Sequence, residues 1–385
     1  MNQRLAIALI WSLIIADLLT GLFYNLTFGF YRIGLVVKSI IIFFVGIFYL
    51  TQLKKKSPRS LYLAMLILSG IWLIGSFISF VINPDFSYSY SLIVLNRYFF
   101  FMILACIFLD VSADESFELQ CNKMIDGFFI LNNSLILIGF FFHVQLFSTF
   151  DPLGEYDGER FGYKGLIFGG NDVAGIYLLG IAHYFRKSFS YKEGSTWLLA
   201  MTCFSGMLSG TKAIFLAVIL FGSYFFIKYR IRSFVALIVP VVIFVSYYIY
   251  SHWRIIKDDY LARTVQLYNE LDLIGFLTTG RNKYLEKNFK IIASDWTIVN
   301  FFSGDAFLYA EMDFFDLYFF FGVGAFLYIY VYVRIFFIRD KSPDNLFVFA
   351  VLMSAAFVAG HFIQSAAVPL FLLLYIFSAK RRTLL

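Results

Sequence analysis

The chain has 385 residues, of which 61% are hydrophobic and 15% are charged, and its formal net charge at pH 7 is +6. Soluble domains have about a quarter of their residues charged, so the composition excludes an ordinary soluble protein and favours an integral membrane protein. The positive charges form no long basic block, which argues against a nucleic-acid partner. The three cysteines show no CxxC spacing, so the sequence predicts neither a metal centre nor a disulfide.

Apolar runs of about 20 residues, the length with which a helix crosses a bilayer, recur along the chain. We therefore predict an all-α, polytopic membrane helix bundle with about twelve spans. It would form a single integral membrane domain over residues 1–385. The predicted spans, in chain order, are 5–25, 35–53, 60–82, 91–110, 124–147, 166–185, 195–208, 211–227, 234–250, 313–335, 346–361 and 365–377.

Basic residues between the predicted spans indicate which helix ends face the cytoplasm. Clusters of Lys and Arg follow spans two, six, eight and ten, and another ends the chain. The positive-inside rule places all of these clusters on one side when both termini are cytoplasmic, which is the topology we predict. The clusters are residues 54–59, 186–192, 228–232, 334–341 and 380–382.

Residues 251–311 contain no spanning run and fall on the outer side, between spans nine and ten. Mixed helical periodicity over 254–276 and an amphipathic pattern over 281–293 predict helices that lie over the mouth of the bundle. The alternative is a solvated loop, against which the apolar residues of the segment argue. We therefore expect a large extracytoplasmic loop of amphipathic helices.

The segment 160–172 places polar residues at the start of an apolar run. Arg160 and Lys164 precede the run, and Gly-Gly-Asn-Asp at 169–172 stands where a plain membrane anchor would have Leu or Val. Ionisable groups at membrane depth are costly and usually mark a site. The alternative is an interfacial anchor followed by a flexible helix start.

Lys212 ends a turn between two short spans. The preceding span, 195–208, has about 21 Å of helix at 1.5 Å per residue, whereas the hydrocarbon layer needs about 30 Å. The turn is therefore expected below the outer surface, where irregular backbone is tolerated only inside protein or along a water-filled cavity. This predicts that Lys212 points into an outward-open pocket, and the alternative is that its side chain snorkels to the interface.

An acidic cluster begins span ten. Asp313 and Asp316 are three residues apart and hence on one helical face, and Glu311 just precedes them. Facing the outer cations, these carboxylates could form structural ion pairs or an acid–base site, and the sequence leaves both open. The other ionisable candidates on the outer side are Arg97, Arg281 and His361.

Several of these motifs resemble those of one protein family. They are Arg160-Phe-Gly, the Gly-Gly-Asn-Asp of 169–172, the Ser-Gly-Thr-Lys of 209–212 and the acidic, aromatic stretch 311–322. Together with the large outer loop they are similar to the O-antigen polymerase and ligase superfamily, which joins polyprenyl-diphosphate-linked glycans outside the cytoplasmic membrane. The architecture matches along the chain, and the motifs match over roughly its second half.

The chain also departs from that family's pattern. It has Thr211-Lys212 where such proteins often have Ser-Arg. A lysine keeps the positive charge but lacks the bidentate hydrogen bonding of the arginine guanidinium group. The histidine-containing outer-loop motif expected of ligases is not visible, which favours a repeat-unit polymerase. Polymerases of O-antigen, capsule and exopolysaccharide are not distinguished by these motifs.

The resemblance implies a glycosyltransferase of the bacterial cytoplasmic (inner) membrane that uses neither a metal ion nor a cofactor. Its donor and acceptor would be polyprenyl-diphosphate-linked glycans that enter through the membrane lipid, and a chain-length regulator protein is a candidate partner. Cations would stabilise the diphosphate leaving group, and a carboxylate would take the proton of the acceptor hydroxyl. The predicted catalytic residues are Glu311, Asp313, Arg160 and Lys212, and the predicted substrate-binding residues are Arg97, Lys164, Asn171, Asp172, Arg281, Asp316 and His361.

Two other classes of protein compete with this interpretation. A transporter or flippase of a lipid-linked or anionic substrate would fit about twelve spans and a charged cavity equally well. Against it, no clear inverted repeat is visible, and the single large loop makes the two halves unequal. A structural membrane scaffold would leave Lys212 and the acidic face of span ten unexplained.

Overall fold

In the computed structural model the described part of the chain is helical, with one isolated antiparallel bridge between Ser148 and Tyr163 and no strand. The prediction of an all-α fold is confirmed for these residues. The ninth predicted span, 234–250, and the predicted periodic segment 254–276 lie outside them, apart from Gly275. The described residues are 2–27, 33–50, 56–82, 88–112, 115–149, 162–193, 196–229, 275, 278, 280–305, 308–360, 362–365 and 367–380.

Most helices begin and end within about four residues of the predicted boundaries, but α5 begins nine residues before the predicted start at 124 and ends five residues before 147. The amphipathic helix predicted over 281–293 is present. A π-helical turn, Arg186–Ser190, extends the helix that ends at Phe185. The helices, in chain order, are α1 (Gln3–Thr27), α2 (Ile33–Leu50), α3 (Lys56–Ile82), α4 (Tyr88–Val111), α5 (Glu115–Phe142), α6 (Gly170–Phe185), α7 (Thr196–Met207), α8 (Lys212–Tyr229), α9 (Arg281–Asp295), α10 (Ile298–Ser303), α11 (Asp313–Phe321), α12 (Gly324–Phe336), α13 (Pro343–Ala359) and α14 (Val368–Phe377).

Five helices in the described part of the chain, α1, α3, α4, α5 and α8, are long and apolar enough to cross a membrane. Shorter apolar helices accompany them, among them α2, α7, α12, α13 and α14. Large apolar side chains such as Phe43, Phe77 and Ile219 are exposed on these helices, as expected for surfaces that face lipid. The prediction of about twelve spans stays a prediction.

The chain divides into two compact units. The first unit contains residues 1–17, 32–124 and 277–385, and the second unit contains residues 18–31 and 125–276. The predicted single membrane domain and its outer loop at 251–311 stay predictions.

In the first unit, helix α4 forms the centre. Helices α2, α3 and α14 pack on it, and α4 buries apolar residues on every side, including Phe100, Leu104 and Ile107. A helix that is apolar all round is stable only when it is surrounded. Helix α3 also contacts α10, α11 and α12, and thereby brings residues 298–336 onto this core.

The predicted span 313–335 is not one continuous helix, because α11 and α12 separate at Gly322 and Val323. Gly322 has φ 53°, and a Cβ atom there would lie 2.6 Å from the carbonyl oxygen of Phe302. Gly304 has φ 79°, and a Cβ atom there would lie 2.5 Å from the carbonyl oxygen of Phe320. Only glycine fits both the left-handed conformation and this close backbone approach. The break makes α11 a short separate helix.

In the second unit, helices α6, α7 and α8 pack against one another. A buried polar network joins α5, α6 and α7: Asn132 donates to the Tyr177 hydroxyl at 3.1 Å, and Tyr177 donates to Asn133 at 2.7 Å. Asn133 in turn donates to the Thr202 hydroxyl at 3.0 Å. Buried polar groups are tolerated when they are paired, so the network fixes how these helices pack.

Candidate functional site

Asp313, the first residue of α11, is buried and holds the turn that follows α13. Its Oδ2 atom accepts hydrogen bonds from the backbone amides of Phe362 at 2.6 Å and Ile363 at 2.9 Å. Its Oδ1 atom accepts from the amide of Gln364 at 3.4 Å. Both oxygens of this carboxylate are therefore bound by backbone, and charge-assisted bonds of this kind are among the stronger ones.

Asp316 holds the segment that leads into α11. Its Oδ1 atom accepts from the amide of Ala310 at 2.6 Å, and its Oδ2 atom accepts from the amide of Met312 at 3.0 Å. The side chain is buried. The two amides lie on either side of Glu311, so Asp316 fixes the backbone around that residue.

Glu311 has a left-handed backbone conformation, with φ 59°. This conformation is uncommon for residues other than glycine and costs about 1–3 kcal/mol when the surroundings impose it. Gly360 supports it from the other side, because a Cβ atom at that position would lie 2.1 Å from the Glu311 carbonyl oxygen. Strained residues of this kind cluster at functional sites.

The Glu311 side chain meets Arg281, the first residue of α9. The Arg281 Nε atom lies 3.1 Å from Glu311 Oε2, and the two side chains are 15% and 42% exposed. A partly exposed ion pair contributes about 0–1 kcal/mol to the free energy of unfolding, so this pair has only a small effect on stability. The pair orients a reachable carboxylate beside a fixed cation.

In the first unit the structure thus brings together Arg281, Glu311, Asp313 and Asp316 from the predicted site. Arg97 lies on α4, and its Nε atom is buried with no hydrogen-bond partner in the described part of the chain. No described contact joins it to the carboxylates. His361 lies outside the described residues.

In the second unit, Lys164 lies in a tight bend before α6. Its Nζ atom donates to the carbonyl oxygen of Phe168 at 3.0 Å and lies 5.5 Å from the ring centroid of Tyr24. Burial lowers the pKa of Lys164 to about 8, and the nearby charge of Asp172 acts in the opposite direction. This ammonium group is held in place and is poorly hydrated, so burial disfavours its charged form unless an anion is bound beside it.

Asn132 of α5 builds the bend around Lys164. It donates to the carbonyl oxygen of Lys164 at 3.2 Å and accepts from the amide of Leu166 at 3.0 Å. Gly165 between them has φ 64°, and a Cβ atom there would meet Asn132 Oδ1 at 2.3 Å. Sequence reasoning missed Asn132, although an Asn-Asn pair inside a predicted span is a visible signal.

The turn before Lys212 packs against this bend. The amide of Tyr163 donates to the carbonyl oxygen of Leu208 at 2.9 Å, and the Thr149 hydroxyl donates to that of Ser209 at 3.3 Å. The bend that carries Lys164 and the turn that ends at Lys212 are therefore neighbours. Lys212 itself is exposed and begins α8, and its predicted pocket stays a prediction.

The remaining predicted residues of this region lie near the start of α6. Asn171 and Asp172 are in its first turn, where Asn171 is exposed and Asp172 is half-buried. Arg160 lies outside the described residues. The starts of two helices thus face the loops of this region, and helix N-termini favour anions.

Sequence reasoning also missed an ion pair between two apolar helices of the first unit. Lys38 of α2 lies 2.5 Å from Asp17 of α1, and its Nζ atom is 5.3 Å from the ring centroid of Phe100. Beside it, Asn96 donates to the Ser39 hydroxyl at 3.0 Å. Lone ionisable residues in the apolar runs 5–25 and 35–53 were the signal for this pair.

Comparisons of the chain with family models, with curated proteins and with solved structures found no match.

Proposed function

We propose that this chain is a membrane glycosyltransferase that joins polyprenyl-diphosphate-linked oligosaccharide repeat units into a polysaccharide. The observation that carries the proposal is the presentation of Glu311. Buried Asp316 fixes its backbone on both sides, and Arg281 orients its side chain. A strained, half-exposed carboxylate with this support fits a group that acts on a substrate.

In the proposed reaction an acceptor hydroxyl attacks the anomeric carbon of the donor sugar. The new bond is a glycosidic C–O bond, and the bond that breaks joins the anomeric carbon to the diphosphate. The electron pair leaves with the diphosphate, and the proton of the acceptor hydroxyl passes to Glu311. A positioned general base of this kind contributes about 10²–10⁴-fold in rate.

Glu311 suits the role of base better than Asp313. Both oxygens of Asp313 accept backbone amides and the residue is buried, so protonation there would disrupt the fold. Glu311 is 42% exposed and is bound at its Oε2 atom by one guanidinium group. We assign Asp313 and Asp316 to the support of this loop, and Glu311 to the acceptor.

The leaving group is assigned to the second unit. Lys164 is held by the bend of 162–169, and Lys212 begins α8 in the turn that packs on that bend. Fixed cations and helix N-termini stabilise the charge that develops on a departing diphosphate. Arg160, four residues before Lys164, is a further proposed cation of this group. Arg281 and Arg97 are proposed as substrate contacts of the first unit.

The proposed reaction takes place at a membrane, with lipid-linked substrates and a polysaccharide product. The chain would lie in the bacterial cytoplasmic membrane with both termini in the cytoplasm, and both lipid-linked substrates would enter from the bilayer. The product class is O-antigen, capsule or exopolysaccharide, and a chain-length regulator protein is a proposed partner. The resemblance of the motifs and the apolar helices support this setting.

The test is polymerisation by purified protein in vesicles that contain lipid-linked repeat units. Wild-type protein should give a ladder of products, and Glu311→Gln should lower the rate per folded molecule about 10²–10⁴-fold while donor affinity is kept. Glu286→Gln, on the exposed face of α9, is the matched control and should behave as wild type. A normal rate in Glu311→Gln would remove the base assignment, and no ladder from folded wild-type protein would overturn the function.

The Asp17–Lys38 pair favours a second candidate, a transporter or flippase of a lipid-linked or anionic substrate. Buried charges within apolar helices often mark transport pathways. The same vesicles distinguish the two functions when a labelled lipid-linked oligosaccharide is supplied. Movement of the label across the bilayer without a product ladder would favour transport, and a ladder would favour glycosyl transfer.

A further inference from the structure

Helix α10 presents its apolar side chains outward and its polar side chains inward. Ile298 is 77% exposed and Phe302 is 62% exposed, and Val299 and Phe301 are exposed as well. The buried members of the helix are Asn300 and Ser303. This is the reverse of a helix in water, so the outer face of α10 requires apolar surroundings.

The contacts of α10 place its end at membrane depth. A Cβ atom at Gly75 of α3 would lie 2.6 Å from the carbonyl oxygen of Ser303, and Asp305 accepts from the Ser79 hydroxyl at 2.9 Å. Gly75 precedes the end of the candidate span at Val81 by about 9 Å of helix, at 1.5 Å per residue. The end of α10 therefore lies beside the apolar part of α3.

Helix α3 exposes large apolar side chains over the same stretch, including Phe77 and Val81. Because α10 packs on α3 here, the exposed face of α10 adjoins a surface that already faces lipid. The occupant that fits this surface is the acyl-chain region of the bilayer.

Some of the backbone groups at both ends of α10 are hydrogen-bonded within the protein, which lowers the cost of placing these ends in hydrocarbon. Thr297 and Asn300 form a capping box at its start. At its end, the amide of Gly304 donates to the carbonyl oxygen of Asn300 at 2.7 Å, and the amide of Asp305 donates to that of Phe319 at 2.5 Å.

The residues before α10 follow the order of depth in a bilayer. Trp296, two residues before α10, packs on Phe301 and Tyr318, and tryptophan is enriched at the membrane–water interface. Helix α9 precedes it and carries cations at positions i, i+4 and i+7 of one exposed face, where they suit anionic headgroups. These cations are Lys283, Lys287 and Lys290.

We propose that α9 and α10 form a re-entrant membrane anchor. The face Ile298–Phe302 inserts among the acyl chains of one leaflet, and Lys283, Lys287 and Lys290 bind the headgroup phosphates of anionic phospholipids in that leaflet. The anchor does not depend on glycosyl transfer. It would hold Arg281, at the start of α9, close to the headgroup level where the diphosphate of a lipid-linked substrate lies.

The depth of α10 is tested with spin labels on single cysteines in full-length protein, reconstituted in vesicles of phosphatidylcholine with phosphatidylglycerol. A label at Phe302→Cys should collide with oxygen and be protected from a water-soluble nickel chelate. Phe77→Cys on α3 is the matched reference, because Phe77 is 63% exposed and Phe302 is 62% exposed. A label at Tyr284→Cys on α9 should show the opposite preference. Greater access of nickel than of oxygen at Phe302 would overturn the insertion.

The headgroup contact is tested separately, by the selectivity of the protein for spin-labelled phosphatidylglycerol over phosphatidylcholine. The triple Lys283→Gln, Lys287→Gln, Lys290→Gln variant should lose at least half of that selectivity. Glu286→Gln, which removes the carboxylate paired with Lys290, should keep or raise it. Unchanged selectivity in the triple variant, even with Phe302 in lipid, would overturn the phospholipid site.

Discussion

Asp316 fixes Glu311 from both sides, because its two carboxylate oxygens accept the amides of Ala310 and Met312 at 2.6 Å and 3.0 Å. Between these amides, Glu311 is held at φ 59° and directs its side chain to Arg281. A buried carboxylate thus positions a half-exposed one. In the proposed reaction Asp316 is a positioning residue and Glu311 is the catalytic residue.

Replacing Asp316 with asparagine should weaken this support. The amide NH₂ of asparagine would face a backbone N–H of Ala310 or Met312, and a buried unsatisfied donor costs about 1–3 kcal/mol. We expect a lower unfolding temperature and a lower polymerisation rate per folded molecule, with unchanged donor affinity. Thermal unfolding and initial rates at saturating donor measure these effects.

Asp295→Asn, at the exposed end of α9, is the control for the loss of one carboxylate. It should change neither the unfolding temperature nor the polymerisation rate per folded molecule. If Asp316→Asn protein unfolds earlier but polymerises normally per folded molecule, Asp316 acts on stability alone.

The close contact between Gly360 and Glu311 predicts a severe effect of Gly360→Ala. The new Cβ atom would lie 2.1 Å from the Glu311 carbonyl oxygen, so the backbone of the site must shift. Gly280→Ala is the matched control, because Gly280 also has a positive φ but a Cβ there meets nothing within 4 Å. Alanine at positive φ costs about 1 kcal/mol at Gly280, where ψ is 1°, and more at Gly360, whose φ 62° and ψ −179° lie in a region that is essentially restricted to glycine.

The difference between the two variants in unfolding temperature and in rate therefore reports the contact with Glu311 together with the additional backbone strain at Gly360. Equal behaviour of Gly360→Ala and Gly280→Ala would show that Glu311 does not need this backbone position.

The helices could be predicted from apolar run length, because a run such as 195–208 has few alternatives to a helix, and α7 spans Thr196–Met207. The break at Gly322 could not be predicted. The apolar run continues across it, and the left-handed turn is imposed by a contact with Phe302 that no local pattern encodes.

The acidic cluster could also be predicted, but the division of its roles could not. Asp313 and Glu311 differ because the amides of 362–364, about fifty residues away, bind one carboxylate and not the other. Likewise, Asp17 and Lys38 are visible as charges in apolar runs, but their pairing requires the packing of α1 on α2.

The pKa of Lys164 predicts a pH dependence of diphosphate binding. Burial lowers this pKa from 10.5 to about 8, so the ligand-free protein loses the ammonium charge as pH rises through about 8. Affinity for the lipid-linked diphosphate should therefore fall between about pH 7 and pH 9. Lys164→Arg, whose side chain stays protonated, should remove this fall. Equilibrium binding across that range measures it.

The contribution of Lys164 to the free energy of unfolding changes with pH in the opposite direction to its contribution to diphosphate affinity. Between about pH 8 and pH 10.5 the unfolded chain binds more protons at this residue than the folded chain does, so this contribution rises with pH. A loss of affinity together with a loss of folded protein above pH 8 would therefore not be due to Lys164. Identical profiles for wild type and Lys164→Arg would contradict the assignment.

Lys212 should tolerate arginine better than alanine. Either cation can meet a diphosphate, so Lys212→Arg should retain much of the long glycan, whereas Lys212→Ala should abolish it. Because Lys212 is exposed at the start of α8, its loss should change the free energy of unfolding by no more than about 0.5 kcal/mol. Gel separation of glycan products measures chain length, and normal chain length from folded Lys212→Ala protein would remove Lys212 from the site.

The Asp17–Lys38 pair distinguishes a structural contact from a transport site. Lys38 is buried and Asp17 Oδ2 has no hydrogen-bond partner in the described part of the chain, so Asp17→Asn leaves a buried ammonium group without its counter-charge. Breaking such a pair costs about 3–5 kcal/mol, whereas replacing both members with apolar residues is often neutral or stabilising. We therefore expect Asp17→Asn to lower the yield and unfolding temperature, and Asp17→Leu with Lys38→Met to restore both.

Activity of that double variant then decides what the pair does. A purely structural pair predicts normal polymerisation per folded molecule, since the packing of α1 on α2 is kept without the charges. Under the transport alternative, the folded double variant should lose movement of the labelled lipid-linked oligosaccharide, because a pathway through the bilayer needs the charged groups. A folded double variant with a normal product ladder would remove the observation that favours transport, whereas a folded double variant without any ladder would place Asp17 and Lys38 in the glycosyl-transfer pathway.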